Sequence, residues 1–287
     1  MWYSADGVDG ANRANDRGAK HAKRVARGRG LVMAMHVVIP ARYASSRLPG
    51  KPLALINGVP MIVHVAALAS NTMADDVVVA VDDQRVLDVV ANAGYQGVMT
   101  RADHPSGSDR VMQVAGEMGW GDEDLVINIQ GDEPMLPPQI VDDLFKAMVA
   151  RANIEMATLS DPITNRRDFL DPNVVKVLVG DGLRAINFSR APTPYPRESI
   201  DDEELFDAFI RSGVARRHIG IYGFRVAGLR AFVNLGESRL ERIEKLEQLR
   251  WIEAGKDLLV LDVSQSVPGG VDIPEDLARV QKEFVSR

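Results

Sequence analysis

The densest chemistry in the chain lies at residues 40–53, PARYASSRLPGKPL, where Arg42, Arg47 and Lys51 share a short stretch with Ser45, Ser46 and Gly50. Three cations interleaved with hydroxyl and backbone donors suit a triphosphate, because clustered charge-assisted hydrogen bonds offset its negative charges. A solvated loop with ordinary surface charges would have the same composition. The stretch is not a Gly-x-x-x-x-Gly-Lys-Ser/Thr phosphate loop, which occurs nowhere in the chain, and Gly28-Arg29-Gly30 lacks the third glycine of a dinucleotide fingerprint. A second candidate is Gln130-Gly131-Asp132-Glu133-Pro134, directly after the apolar run LVINI. Asp132 suits magnesium, a hard cation that takes few carboxylates and keeps phosphate oxygens among its ligands. A turn-forming aspartate is the plainer reading. Asp272, in GGVDIPEDL, is the natural partner carboxylate, although it also stands where a helix cap would, just before Pro274.

These residues need a scaffold that brings distant loops to one edge. Short β-rich runs, HVVI (36–39), VVVAV (77–81), GVMT (97–100), LVINI (125–129) and EMATL (155–159), alternate with amphipathic segments. That order predicts an α/β fold with a mostly parallel, doubly wound sheet, whose ligands lie beyond the carboxyl ends of the strands. Asp82 or Asp83 before RVLDVVANAG, Gly94 after it, and Pro138 before QIVDDLF are helix start and stop signals. After residue 170 the pattern changes: VVKVLVGDGLRAINFS reads as an antiparallel hairpin around Gly-Asp-Gly, marking an inserted second lobe at about 171–255. A loop over 190–204, a strand at 218–224 and a helix over 237–254, with Leu240, Ile243, Leu246, Leu249 and Ile252 as its packed face, complete that lobe.

Composition narrows the classes. The 287 residues contain no cysteine, so disulfides, thiolate metal sites and cysteine nucleophiles are excluded, and any metal sits on oxygen or histidine. Residues 1–34 hold seven of the 34 Lys/Arg and three of the 40 Asp/Glu, leaving an acidic body that disfavours nucleic acid as a partner. That segment has no apolar periodicity and reads as a disordered extension or an upstream mis-start before Met33 or Met35. Its basic stretch followed by an apolar run at 31–40 imitates a signal peptide but leads into a strand without a convincing cleavage site. No run reaches the ~18 apolar residues of a membrane span.

The motifs together resemble those of the KDO cytidylyltransferases, the CMP-KDO synthetases, relatives of the CMP-sialic acid synthetases. PARYASSRLPGKPL is followed in family order by MTRADHPSGSDR (99–110), NIQGDEPML (128–136), NFSRAP (187–192), RHIGIYGFR (217–225), LEQLR (246–250) and VPGGVDIPEDL (267–277). The resemblance covers residues 36–284 and implies a nucleotidyltransferase domain over 35–287 with a GT-A-like sheet, a homodimeric state and a cytoplasmic, Mg2+-dependent enzyme coupling CTP to the sugar acid KDO. It implies Asp132 and Asp272 as metal ligands, Arg42, Arg47 and Lys51 on the triphosphate with Ser45 beside them, and Arg101, Ser106 and Gly107 on the base. It assigns the sugar acid to Gln130, Arg190, His218, Tyr222, Glu247 and Gln248. Ser108 and Asp109 depart from the family's usual Thr and Glu, and Ile273 from its usual Thr, which would leave Asp272 as a stand-in cap. A sibling enzyme acting on sialic acid or a sugar 1-phosphate, a glycosyltransferase, and a non-catalytic nucleotide-binding protein remain alternatives from other functional classes.

Overall fold

A computed structural model describes residues 33–285 except 46, 264 and 266, so the sequence reading of residues 1–32, and that of Ser46, lie outside the described residues. The chain runs through β1 (Met35–Ala41), β2 (Leu55–Ile56), β3 (Val59–Pro60), α1 (Met61–Ala69), β4 (Asp76–Val81), α2 (Gln84–Asn92), β5 (Gln96–Met99), α3 (Gly107–Glu117), β6 (Leu125–Asn128), α4 (Pro138–Val149) and β7 (Met156–Pro162). It continues through α5 (Arg166–Leu170), β8 (Lys176–Val179), β9 (Ala185–Ser189), α6 (Glu203–Arg211), β10 (Arg216–Arg225), α7 (Val226–Asn234), α8 (Arg239–Glu244), α9 (Leu249–Glu253), β11 (Leu259–Asp262) and α10 (Pro274–Val285). Local chemistry sets the ends. Asp83 caps α2 by accepting from the Arg85 N–H, Gly94 leaves that helix at φ 80°, and Pro138 opens α4.

The strands form one sheet in the order β11-β7-β10-β6-β1-β4-β5, with a separate two-stranded β2-β3 ribbon. Strand β1 is parallel to β4 and β6, β4 to β5, and β7 to β11, whereas β10 runs antiparallel between β6 and β7. The parallel strands therefore end on one edge, and the chain after β1, β4, β5 and β6 emerges there. Because β10 runs the other way, the residues before Tyr222 overhang that edge, and Arg217 pairs with Lys176 to attach the β8-β9 hairpin above it. Both faces of the sheet are covered, which explains why β1 and β6 read as continuous apolar runs rather than alternating ones. One buried layer joins Val37, Ile39, Ile127 and Ile129 to α1, α2 and α4. The other joins Val38, Val126 and Tyr222 to α3, α7 and α9. A small cluster of Ile56, Met61, Met135, Val271 and Val280 ties α10 to the chain after β6.

Three sequence boundaries change. Ala34, assigned to the extension, is buried; its N–H donates to Asp124 Oδ1 at 2.8 Å and its carbonyl accepts from the Leu125 N–H at 2.8 Å. The span 171–255 is not a separable lobe, because β10 lies inside the main sheet and Leu229, Phe232 and Trp251 pack in its core. The helix expected over 237–254 is two short helices, broken where Lys245 adopts a left-handed φ 55°, ψ 47°. Leu246 and Leu249 then turn inward, while Leu240 and Ile243 remain exposed rather than lining a packed face.

Candidate active site

The loop after β1 and the loop after β6 meet at a single ammonium group. Lys51 Nζ is hydrogen-bonded to Asp132 and, at 3.0 Å, to Asp272 Oδ1, and Arg47 Nη2 reaches the same Asp272 oxygen at 3.1 Å. Burial opposes the Lys51 charge, but the charges and hydrogen bonds of Asp132 and Asp272 together outweigh it, and its pKa is raised. Asp272 arrives because the segment before α10 docks on the residues after β6, the Val271 N–H donating to the Asp132 carbonyl at 2.9 Å. Gly270 permits this approach, since a Cβ there would sit 2.8 Å from Glu133 Oε1 and 3.1 Å from the Asp132 carbonyl. Asp272 does not take the capping role left open for it: Asp276, in the first turn of α10, reaches back with its carboxylate to accept from the N–H groups of Asp272 and Ile273 at 3.1 and 3.2 Å. The Asp272 carboxylate is thereby left to Lys51 and Arg47.

The other residues expected on the triphosphate and on the base separate. Arg42 donates to the His104 carbonyl at 2.6 Å, tying the loop to residues 101–106. The Ser45 hydroxyl accepts from the Leu48 N–H at 3.2 Å and so shapes the loop. Arg101 is not drawn into the cluster: it is exposed and pairs with Asp103. Ser106 is the N-cap of α3. Gly107 lies against Pro40 and Asn128, 3.7 and 3.8 Å from where its Cβ would be.

Of the residues assigned to a sugar acid, His218, Tyr222, Glu247 and Gln248 gather on the face of the sheet that carries α3. Tyr222 donates its hydroxyl to Gln248 Oε1 at 2.9 Å, and Ser108 donates to Glu247 Oε1 at 3.0 Å. Burial raises the pKa of both Tyr222 and Glu247. His218 shares a 2.9 Å hydrogen bond with Thr158 Oγ1, and burial pushes its pKa down to about 3, so the ring is neutral. Gln130 donates to the Gly220 carbonyl at 3.2 Å. Arg190 serves its own neighbourhood, donating to the carbonyls of Glu244 and Pro172 at 2.7 and 3.0 Å.

Several residues escaped sequence reasoning. Glu133, beside Asp132, is pushed up to about 8, chiefly by burial and then by the Asp132 charge. Arg217 clasps Asp161 through Nε and Nη2 at 2.8 and 2.5 Å and holds the Val267 carbonyl at 2.8 Å, fixing the segment that leads to Asp272. Asn128, fully buried, carries a carboxamide without any protein partner. A polar residue inside the run LVINI was the available signal. Arg110 is fully buried against Asp82 at 3.1 Å, and its pKa is lowered by that burial.

Comparison with known proteins gives the family. The sequence profile of a family described as Cytidylyltransferase matches residues 36–258. The 3-deoxy-manno-octulosonate cytidylyltransferase of Cellvibrio japonicus is 46% identical over 252 residues, 87% of this chain and 97% of that protein. Its counterpart in Thioalkalivibrio sulfidiphilus is 45% identical, over 87% of this chain and 98% of that protein. Among solved structures, a CMP:2-keto-3-deoxy-manno-octonic acid synthetase in complex with CTP superposes with a TM-score of 0.80 at 38% identity, over 88% of this chain and 99% of that chain. A cytidylyltransferase from Leptospira borgpetersenii, 14% identical with a TM-score of 0.57 over 89% of this chain and 88% of that chain, shares the fold. With its motifs in register from β1 to α10 and its paired aspartates converging on Lys51, the chain belongs to the 3-deoxy-manno-octulosonate cytidylyltransferase family.

Proposed function

We propose that the protein transfers the cytidylyl group of CTP to the anomeric hydroxyl of KDO, giving CMP-KDO and pyrophosphate for lipopolysaccharide synthesis. The observation that carries this reading is the convergence of Asp132 and Asp272 on one ammonium group, flanked by Arg47. The oxygen of the anomeric hydroxyl attacks the α-phosphorus as the bond to the β-phosphate oxygen breaks; pyrophosphate leaves and the hydroxyl proton passes to solvent. Arg47 and Lys51 sit where charge builds on the leaving pyrophosphate, and Arg42 holds the facing loop. Tyr222, Gln248, Glu247 and the neutral His218 form a buried polar wall suited to a hydroxyl-rich acceptor.

Magnesium fits the donor set. Asp132 and Asp272 already hold a cation, the Lys51 ammonium, between hard carboxylate oxygens. A magnesium ion held by two carboxylates would take phosphate oxygens and water as its remaining ligands. Bound there, the ion would supply positive charge to the phosphates at the transition state. We place the enzyme in the cytoplasm on its resemblance to the cytidylyltransferase family alone. A homodimer belongs to the same reading, with exposed Leu240 and Ile243 offering apolar surface. The test is pyrophosphate release from CTP with KDO, with and without Mg2+, beside N-acetylneuraminate and hexose 1-phosphates. Turnover with KDO alone supports the proposal, and preference for another acceptor replaces it.

A further inference from the structure

Asn128 is an exception to the rule that buried polar groups are bonded. Its side chain is fully buried at the carboxyl end of β6, yet neither its amide nitrogen nor its carbonyl oxygen has a hydrogen-bond partner in the protein. A donor and an acceptor left unpaired away from water destabilise the fold, and an apolar side chain of similar shape would not. The position is otherwise typical of the core: Leu125, Val126 and Ile127 before it are all fully buried apolar residues.

Its surroundings show what the carboxamide faces. Asn128 is the cross-strand partner of Tyr222, so the two side chains stand together on one face of the sheet. The Tyr222 hydroxyl leads to Gln248, whose Nε2 is also buried and unpartnered. On its other side Asn128 lies against Gly107, with Nδ2 3.8 Å from where a Cβ would be, at the N-terminus of α3. One residue further, Ser108 leads to Glu247, whose Oε2 is likewise buried and unpartnered. Three side chains therefore bring unpaired polar atoms to the same buried region under α3.

We propose that Asn128 is a specificity-determining residue that binds a hydroxyl of the acceptor sugar acid, an assignment that rests on the KDO reading above. A phosphate or carboxylate would satisfy the amide N–H2 and leave the carbonyl unpaired. A hydroxyl both donates and accepts, so it can satisfy either atom, and adjacent hydroxyls satisfy both. The Tyr222–Gln248 and Ser108–Glu247 pairs on either side add the donors and acceptors a polyol needs.

The test compares the wild-type enzyme with Asn128→Ala for kcat, the two KM values and turnover of KDO analogues each lacking one hydroxyl, and with Asn128→Leu for thermal stability. Asn128→Ala is expected to raise the KM for KDO about tenfold or more while the KM for CTP changes by less than about twofold. One deoxy analogue, disfavoured by the wild type, should be used by Asn128→Ala as well as KDO itself. Asn128→Leu, close to Asn in shape, should not lower the melting temperature, because it removes two unpaired buried polar groups without opening the cavity that Ala leaves. Unchanged constants overturn the assignment, as does a KM rise confined to CTP or a clear loss of stability in Asn128→Leu, which would give the carboxamide to the nucleotide or to the fold. A wild-type enzyme that releases no pyrophosphate with KDO overturns the activity reading and this assignment with it. A KDO-active wild type beside an indifferent Asn128→Ala overturns this assignment alone.

Discussion

Asp132 and Asp272 differ from most surface acids in sharing a cation that each reaches from a different loop. Replacing either with Asn keeps the shape and removes the charge that would hold both Lys51 and a divalent ion. Asp132→Asn and Asp272→Asn should each lower kcat/KM by about 3 kcal/mol of transition-state stabilisation, on the order of a hundredfold. The double substitution should cost little more than either alone, because either one already disables the shared site. Magnesium-titrated rates on the three proteins check this, and additive losses would separate the two carboxylates. His218 offers a different test. Its folded pKa is about 3 against an ordinary 6.5. Between those values the unfolded chain binds one proton more than the folded one, so stability falls as pH drops below 6.5. His218→Gln should flatten that dependence by up to about 1.4 kcal/mol per pH unit, read by urea unfolding between pH 5 and 7. An unaltered slope would mean that His218 titrates normally.

At the scale of elements, the site depends on one unusual contact, the docking of the segment before α10 onto the chain after β6. The buried cluster of Met135, Val271 and Val280 holds the two segments together from below, and Gly270 lets them touch. Gly270→Ala would place a methyl group against Glu133 and the Asp132 backbone, so the segment must shift outward and carry Asp272 away from Lys51. The expected outcome is at least a tenfold loss of kcat/KM, about 1.4 kcal/mol, with a melting temperature changed by only a few degrees. Equal activity would show that Asp272 need not sit so close. A second element matters here: β10, whose register shifts between Ile219 and Tyr222. At that irregularity the Thr158 hydroxyl, whose one proton serves the nearer carbonyl, that of Ile221 at 2.8 Å, faces His218 Nε2 at 2.9 Å, which gives both polar side chains a fixed orientation at the break in the ladder.

For the whole molecule, Ala34 is part of the folded body. A chain beginning at Met33 should melt like the full-length protein. One beginning at Met35 loses the bonds of Ala34 to Asp124 and Leu125 and should be less stable by about 1–2 kcal/mol, measured by denaturant unfolding. Equal stability of the two would return the boundary to residue 34. The sequence by itself determined a good deal: the parallel strands, because runs such as VVVAV are apolar throughout; the helix starts at Asp82 or Asp83 and at Pro138; and the cationic loop with its two acidic candidates. These are local signals, carried by residue type and short spacing. It could not place β10 inside the main sheet, since HIGIYGF reads the same whether it pairs within a lobe or between β6 and β7. Nor could it show that Lys245 breaks a helix whose apolar spacing looked continuous, or that Asp272 takes no capping role. The unpaired carboxamide of Asn128 was equally out of reach. Each of these depends on which groups remain to be satisfied once distant segments are in contact, and the hydrogen bonds and burial that decide it exist only in the folded chain.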